Sequence, residues 1–181
     1  MLWEKYQKEI VPNLVKTYQL KNNLAAPKLE KVVLNVGMGK VSDKKIFEKV
    51  GTELSKISGQ KPKITRAKKS ISGFSLREGA QIGLMVTLRG RRMFDFLEKL
   101  FGLVLPQVKD FRGLSRKSFD NQGNWTLGLT ETSVFSEIDP SKTEGNWGME
   151  ITVVTNSHDR QKAQKLLELL GAPFEKEISN G

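Results

Sequence analysis

Alternation of apolar and polar side chains in four segments constrains the fold of this chain more than any other feature. The segments are "KLEKVVLNVGMG", "QIGLMVTLRG", "NWTLGLT" and "MEITVVT". A period of two gives a strand one buried and one solvated face. Stretches with apolar residues three or four apart lie around and between them. The pattern predicts an α+β fold, an antiparallel or mixed sheet with helices packed on one face and an open polar face.

The predicted architecture is a single domain spanning residues 1–181. It has an N-terminal helix at about 2–18, restarted or bent at Pro12, a basic loop at about 61–79, and irregular loops at about 106–123 and 136–147. Ser42 or Asp43 is expected to cap the second helix and Ser157 the last one. The open face of the sheet would display short polar and basic side chains, namely Lys31, Asn35, Thr87, Arg89, Thr126, Thr130 and Thr152.

Charge indicates the kind of partner. The 181-residue chain carries a formal net charge of +10 and has a pI near 9.8. Such a balance favours a polyanionic partner, most often nucleic acid, with an anionic membrane surface as a weaker alternative. No apolar run approaches the roughly 20 residues of a spanning helix, and the first residues lack the order of a signal peptide. We therefore expect a cytoplasmic protein that does not act at a membrane.

The sequence contains few of the residue patterns that enzymes use for catalysis. The chain has no cysteine and one histidine, His158, so neither a zinc site nor a catalytic dyad is evident. The stretch "NVGMGK" follows a strand, but its spacing matches neither a dinucleotide fingerprint nor a Walker loop. We expect Gly37 and Gly39 to let the chain leave the strand sharply, and we expect no cofactor and no metal. A nucleotide-binding enzyme using "NVGMGK" remains the alternative.

Basic residues concentrate in three places: residues 61–79, Arg89 to Arg92, and Lys109 to Lys117. Basic side chains that contact phosphates release counterions, so binding should weaken steeply with salt. The predicted open face lacks an aromatic pair, which argues against base stacking. Its short polar side chains suit 2′-hydroxyl and phosphate contacts on a folded RNA.

Longer motifs resemble a known family. "SGQKPKITRAKKSISGFSLREG", "VTLRGRRMFDFLEKL", "LPQVKDFRGLSRKSFDNQGNWTLGL" and "FSEID" are similar to the bacterial-type large-subunit ribosomal protein five, across nearly the whole chain. The resemblance implies a non-enzymatic protein that binds 5S rRNA in the central protuberance of the large subunit. One departure is Lys63, which stands where the family usually has an apolar residue.

The resemblance also implies roles for particular residues. Contacts to 5S rRNA would come from Lys31, Asn35, Gln60, Thr65, Thr87, Arg89 and Thr130. The loop that approaches the transfer RNA in the peptidyl site would use Lys68, Lys69, Ser70, Ser72, Gly73, Phe74 and Arg77. Other rRNA contacts, or a bridge to a protein of the small-subunit head, would involve Arg91, Arg92, Lys109, Arg112, Arg116, Lys117 and Asp139. Implied partners are 5S rRNA, 23S rRNA, P-site transfer RNA and other 5S-associated ribosomal proteins.

Overall fold

A five-stranded antiparallel sheet organises the computed structural model, which describes residues 1–39, 43–74, 76–139 and 147–175. Its strands are β1 (Leu29–Gly37), β2 (Lys63–Arg66), β3 (Gln81–Leu88), β4 (Trp125–Leu129) and β5 (Met149–Thr155). They lie in the order β2-β3-β1-β5-β4. The predicted α+β class and open sheet are confirmed.

The predicted faces of the strands are confirmed where the alternation is strongest. In β1 the side chains of Val32, Leu34 and Val36 are fully buried, whereas Lys31 and Asn35 are half-buried. Strand β5 alternates in the same way. Two positions differ: Ile82 in β3 and Leu127 in β4 are half-buried, although alternation predicts both on the buried face. Because β4 is an edge strand, its inner face is covered less completely.

The N-terminal helix is interrupted near the predicted position. Helix α1 (Leu2–Lys5) continues through a π-helical turn (Tyr6–Ile10) into helix α2 (Val11–Thr17). Pro12 lies in the first turn of α2 and has no backbone N–H, so one bond is missing from the helical ladder just where the π-helical turn ends. Tyr6, Ile10 and Leu14, each four residues apart, are buried, so one apolar side continues across the interruption.

Helix α3 (Lys44–Ser58) begins and ends as predicted. Asp43 caps it, since its Oδ1 accepts a hydrogen bond from the Lys45 N–H at 2.8 Å. Gly59 ends it with φ +65°, the left-handed conformation that glycine adopts without steric cost. Its inner side buries Phe47, Val50, Leu54 and Ile57.

Helix α4 (Gly90–Lys99) leads into a π-helical turn (Leu100–Val104) and a 3₁₀ turn (Leu105–Gln107) that contains Pro106. The predicted inner face, from Met93 to Val104, is buried. Phe96 is buried as well, at 3% exposure, although the helical stripe did not include it. Phe96 lies three residues after Met93 and four before Leu100, so a period of 3.6 places it beside the buried stripe.

Helix α5 (Arg160–Leu169) corrects one prediction: its cap is Asp159, not Ser157. Asp159 Oδ1 accepts hydrogen bonds from the N–H groups of Gln161 at 2.9 Å and Lys162 at 3.4 Å. Ser157 is buried and donates its hydroxyl to the Asp159 carbonyl at 3.1 Å. The exposed His158 therefore precedes the helix and does not lie in its first turn.

Two compact units divide the chain. Unit 1 contains residues 1–32, 89–127 and those from 152 onward, and unit 2 contains Val33–Leu88 and Gly128–Ile151. In unit 1 the rings of Trp3 and Tyr6 lie 4.9 and 5.0 Å from the ring of Phe94. In unit 2 apolar strand residues such as Leu34 are buried, as is the inner side of α3. The assignment of all 181 residues to a single domain stays a prediction.

Candidate RNA-binding surfaces

Unit 2 carries a row of short polar side chains on the face of its strands opposite the core. The register pairs Thr65 with Gly83 and Lys63 with Met85, so these four residues lie on one face of the sheet, opposite the face that carries Leu84. Asn35 and Thr87 lie on the same face by alternation with the buried Leu34 and Val86. Asn35, Thr65 and Thr87 are all half-buried. A partner that covers them can therefore reach a fixed, partly desolvated surface.

Gly83 is a position of this face where a side chain could not fit. A Cβ there would lie 2.6 Å from the carbonyl oxygen of Val36 and 3.0 Å from Thr65 Oγ1. Any larger residue would push against the backbone of β1 and cover the Thr65 hydroxyl. Glycine therefore allows the close approach of the strands and leaves that hydroxyl uncovered by β3.

Gln60 is held at the edge of the same unit. Its Nε2 donates a hydrogen bond to the carbonyl of Thr87 at 3.3 Å, and its own carbonyl accepts one from Ser58 Oγ at 3.0 Å. These bonds tie the end of α3 to the end of β3. Thr130, the remaining predicted 5S contact of unit 2, follows β4 and is exposed.

Unit 1 presents the remaining predicted sheet residues. Lys31 is half-buried, and the exposed Arg89 donates a hydrogen bond from Nη1 to the carbonyl of Glu30 at 3.3 Å. The hydroxyl groups of Thr126 and Thr152 pair at 3.2 Å. The short contact between Arg89 and the start of β1 orients a guanidinium that can still use its other N–H groups toward a phosphate.

The start of α4 adds further positive charge to unit 1. Arg91 and Arg92 are exposed, and the first turn of the helix contains no acidic residue. Arg91 Nη2 lies 2.9 Å from the sulfur of Met1. Positive side chains here stand beside unpaired backbone N–H groups, so the local potential favours an anion.

The basic stretch of unit 2 is a folded hairpin. Its first part forms strand β2, and Lys63 is accommodated there because it lies on the exposed face opposite Met85. We call the segment from Ala67 to Ala80 the basic hairpin. Its base is closed by hydrogen bonds from the Ala67 N–H to the Ala80 carbonyl and from the Gly79 N–H to the Ala67 carbonyl, both 2.9 Å.

The middle of the basic hairpin is paired as well. Ile71 and Leu76 exchange two backbone hydrogen bonds of 2.9 and 3.1 Å, and Ser70 Oγ accepts one from the Glu78 N–H at 2.9 Å. Backbone groups and one serine therefore hold this segment in shape. The predicted contact residues Lys68, Lys69, Ser70, Ser72, Gly73 and Arg77 are exposed. The side chain of Phe74, also predicted as a contact, lies outside the described part of the structure.

Residues 106–123, which we call the clasped loop, are held differently. Leu114 lies beside Phe174, with hydrogen bonds from the Leu114 N–H to the Pro173 carbonyl at 2.8 Å and from the Glu175 N–H to the Leu114 carbonyl at 3.1 Å. Gly113 has φ +113°, and a Cβ there would lie 2.7 Å from Glu175 N. The residues after α5 thus clasp this loop, a contact between distant segments that no local pattern reveals.

Arg116 is part of this clasp. Its Nη1 contacts Glu168 Oε1 at 2.8 Å, its guanidinium lies 5.6 Å from the centre of the Phe174 ring, and its Nε donates to the Glu175 carbonyl at 3.4 Å. The other predicted contacts of this loop, Lys109, Arg112 and Lys117, are exposed. The structure therefore separates one internally bound arginine from three available basic residues.

The second irregular loop is only partly described. Asp139, predicted as a bridge contact, is exposed, and the rest of that prediction, residues 140–146, lies outside the described residues. Beyond it, Trp147 Nε1 donates a hydrogen bond to Glu53 Oε2 at 2.8 Å. This bond ties the end of the loop to α3, and sequence reasoning did not identify either residue.

The alternative sites can be placed too. Around Gly37 and Gly39 a Cβ would meet no atom within 4 Å, and neither glycine has a positive φ, while Lys40 lies outside the described residues. Within the described ranges no three acidic, histidine or cysteine side chains cluster to hold a metal ion. None of the helices described is long and apolar enough to cross a membrane.

Comparison with known proteins identifies the class and the family. A family model described as ribosomal protein L5 matches residues 22–77, and a second model, described as the C-terminus of the same ribosomal family, matches residues 81–174. The large ribosomal subunit protein uL5 of Caldanaerobacter subterraneus subsp. tengcongensis is 51% identical over 176 residues, covering 97% of this chain and 98% of that protein. The protein of the same name from Thermotoga maritima is 51% identical over 176 residues, covering 97% and 96%.

The fold and these matches define a structural ribosomal protein of the large subunit, not an enzyme. This chain belongs to the ribosomal protein L5 family. The predicted resemblance is confirmed, and the alternative of a nucleotide-binding enzyme is wrong.

Proposed function

We propose that this ribosomal protein binds 5S rRNA through the open-face side chains of its strands and attaches that RNA to the large subunit. The observation that carries the proposal is the row formed by Asn35, Thr65 and Thr87 in unit 2, with Gln60 fixed beside it. In unit 1, Lys31 and Arg89 would add contacts to phosphates. Thr130 would extend the set.

The chemistry of this row suits a folded RNA. Amide and hydroxyl groups can donate to and accept from 2′-hydroxyls and phosphate oxygens. Because these side chains are half-buried in strands, little side-chain entropy is lost when a partner covers them. Recognition would then rest on the shape of the RNA backbone.

For the basic hairpin we propose a second RNA, the transfer RNA in the peptidyl site. Lys68, Lys69 and Arg77 are exposed, while backbone bonds hold the segment that carries them. A shaped and positively charged projection can make phosphate contacts without ordering itself upon binding.

The remaining basic groups would reach other parts of the ribosome. We propose that Arg91 and Arg92 contact 23S rRNA, and that Lys109, Arg112 and Lys117, together with Asp139, face a protein of the small-subunit head at a bridge or neighbouring rRNA. Arg116 serves this surface indirectly, since it holds the clasped loop in place. Other 5S-associated ribosomal proteins complete the expected set of partners.

The test is binding of the purified protein to 5S rRNA and to an unrelated RNA of equal length at rising salt. We expect the Asn35→Ala/Thr87→Ala variant to lose about tenfold in affinity for 5S rRNA, because two hydrogen bonds at a partly desolvated surface are lost. The matched control is Asn13→Ala/Thr17→Ala, which removes the same groups from the exposed surface of α2.

The control should bind as the unchanged protein does. Equal affinity for 5S rRNA and the unrelated RNA would contradict the proposal. So would an Asn35→Ala/Thr87→Ala variant that binds 5S rRNA normally.

A further inference from the structure

A groove of about 450 Å³ lies in unit 2 between the edge strand β2 and helix α3. Apolar groups from Phe47, Gly51, Pro62, Ile64 and Leu84 line it. We call it the edge groove. Its volume falls within the range of sites that hold small ligands or a few side chains of a peptide. The groove lies on the helix side of β2, opposite the face proposed for 5S rRNA.

Within the described residues, strand β2 pairs with β3 alone and leaves its other edge without a strand partner. The Met38 N–H donates to the Ile82 carbonyl at 2.8 Å, so the backbone groups of Ile82 face β1. Groups alternate along a strand, so those of Gly83 and Met85 face β2, where the register pairs them with Thr65 and Lys63. The N–H and C=O of Ile64 therefore point away from β3, toward the free edge.

Ile64 also presents apolar surface at the same place. It pairs with Leu84, so its side chain lies on the helix side of the sheet. Leu84 is buried there, whereas Ile64 is 41% exposed. One residue thus combines an available donor and acceptor with an uncovered apolar side chain, the combination that an added strand uses.

Gly51 in the interior of α3 indicates that the groove is kept open. A Cβ at this position would lie 3.8 Å from Leu84 Cδ1 and 3.9 Å from Pro62 Cγ, which is ordinary van der Waals contact. Packing therefore does not require glycine, although glycine destabilises a helix interior by about 1 kcal/mol relative to alanine. A larger side chain would fill the space beside Ile64.

The excess of basic residues at the edge groove indicates which kind of partner it binds. Two basic residues, Lys44 and Lys61, and one acidic residue, Glu48, line the groove, and β2 itself carries Lys63 and Arg66. Antiparallel pairing of β2 with a second copy would bring lysine and arginine together, which is unfavourable. The apolar lining of the groove offers few hydrogen-bond partners to an RNA, which therefore does not fit this site. We propose that the edge groove binds an extended segment of a partner protein in which apolar residues alternate with acidic ones.

The test uses the full chain and a labelled, end-capped octapeptide in which valine alternates with glutamate. Fluorescence anisotropy should show saturable binding, at least about tenfold tighter than that of the counterpart with lysine in place of glutamate. Strand addition depends on main-chain hydrogen bonds. Binding should therefore be abolished when the peptide is methylated at every second backbone nitrogen, on the edge that would pair with β2.

Variants locate the binding. Gly51→Leu should weaken it by about tenfold or more, whereas the matched Gly51→Ala should keep it within about twofold. Ile64→Thr, which retains a β-branched side chain, gives a second variant if Gly51→Leu does not fold by circular dichroism.

Three results would overturn the proposal. The first is equal binding of the glutamate and lysine peptides, or binding of neither. The second is binding unchanged by Gly51→Leu and by Ile64→Thr. The third is weaker binding of 5S rRNA itself in Gly51→Leu or Ile64→Thr, which would assign the groove to an RNA surface.

Discussion

The basic hairpin of unit 2 and the clasped loop of unit 1 have similar compositions but are closed by different partners. The hairpin is closed by backbone hydrogen bonds, by Ser70, and by Arg66, whose Nη1 donates to the Gly79 carbonyl at 3.0 Å. Its other bases, Lys68, Lys69 and Arg77, are exposed.

In the clasped loop, a base takes part in closure against a distant segment. Arg116 contacts Glu168 and Phe174, and Gly113 lets the backbone of Glu175 approach. Counting bases therefore does not show which of them remain available for RNA. What decides is which bases help to close a segment, as Arg66 does in the hairpin and Arg116 in the clasped loop.

Glycine substitution should give the largest difference between the two segments. Gly113→Ala would combine strain at φ +113° with a Cβ 2.7 Å from Glu175 N. We expect a loss of about 2 to 3 kcal/mol in the free energy of unfolding, measured by urea denaturation. Gly73→Ala at the hairpin tip, where a Cβ meets nothing within 4 Å, is the control. It should stay within about 0.5 kcal/mol, and similar effects of both changes would refute the contrast.

Arginine and lysine in the clasped loop should behave differently. Arg116→Ala removes a half-buried ion pair and a ring contact, so we expect about 1 to 2 kcal/mol less stability. Lys117→Ala should leave stability unchanged, because Lys117 is exposed, and should instead lower the salt dependence of RNA binding. Thermal unfolding and RNA titration measure the two effects. If Arg116→Ala weakened RNA binding without loss of stability, Arg116 would be a direct contact.

Local patterns predicted most of the fold. Alternation in β1, β3 and β5 and the spacing of apolar residues in α3 and α4 correspond to side chains that are buried. The identity of a capping residue was harder to predict where two suitable residues lie close together. Ser157 and Asp159 can both cap, and the choice depends on burial of Ser157 beside Thr155, a tertiary effect.

The candidate surfaces show the same limit. The exposed bases of the hairpin follow from composition and position, since charged side chains are rarely buried. The partners of Arg116 do not, because Glu168 lies 52 residues away in the chain. The edge groove likewise arises from the approach of α3 to β2. Neither feature has a local signal.

Charge reversal in the basic hairpin should have the smallest energetic effect and should act on one RNA only. Lys68→Glu/Lys69→Glu changes two exposed side chains that take no part in closing the hairpin through the bonds above. We therefore expect normal stability and normal binding of free 5S rRNA, with transfer RNA bound about threefold to tenfold more weakly in the peptidyl site of assembled ribosomes.

The matched control for this reversal is Lys5→Glu/Lys8→Glu, which makes the same charge change on exposed positions of the N-terminal helix. Because net charge changes equally in both variants, a general electrostatic effect would weaken transfer RNA binding in both. A local contact would weaken it only in the hairpin variant. Loss of 5S rRNA binding in the hairpin variant would instead mean that the two RNAs share one surface, and the proposed division between strand face and hairpin would be wrong.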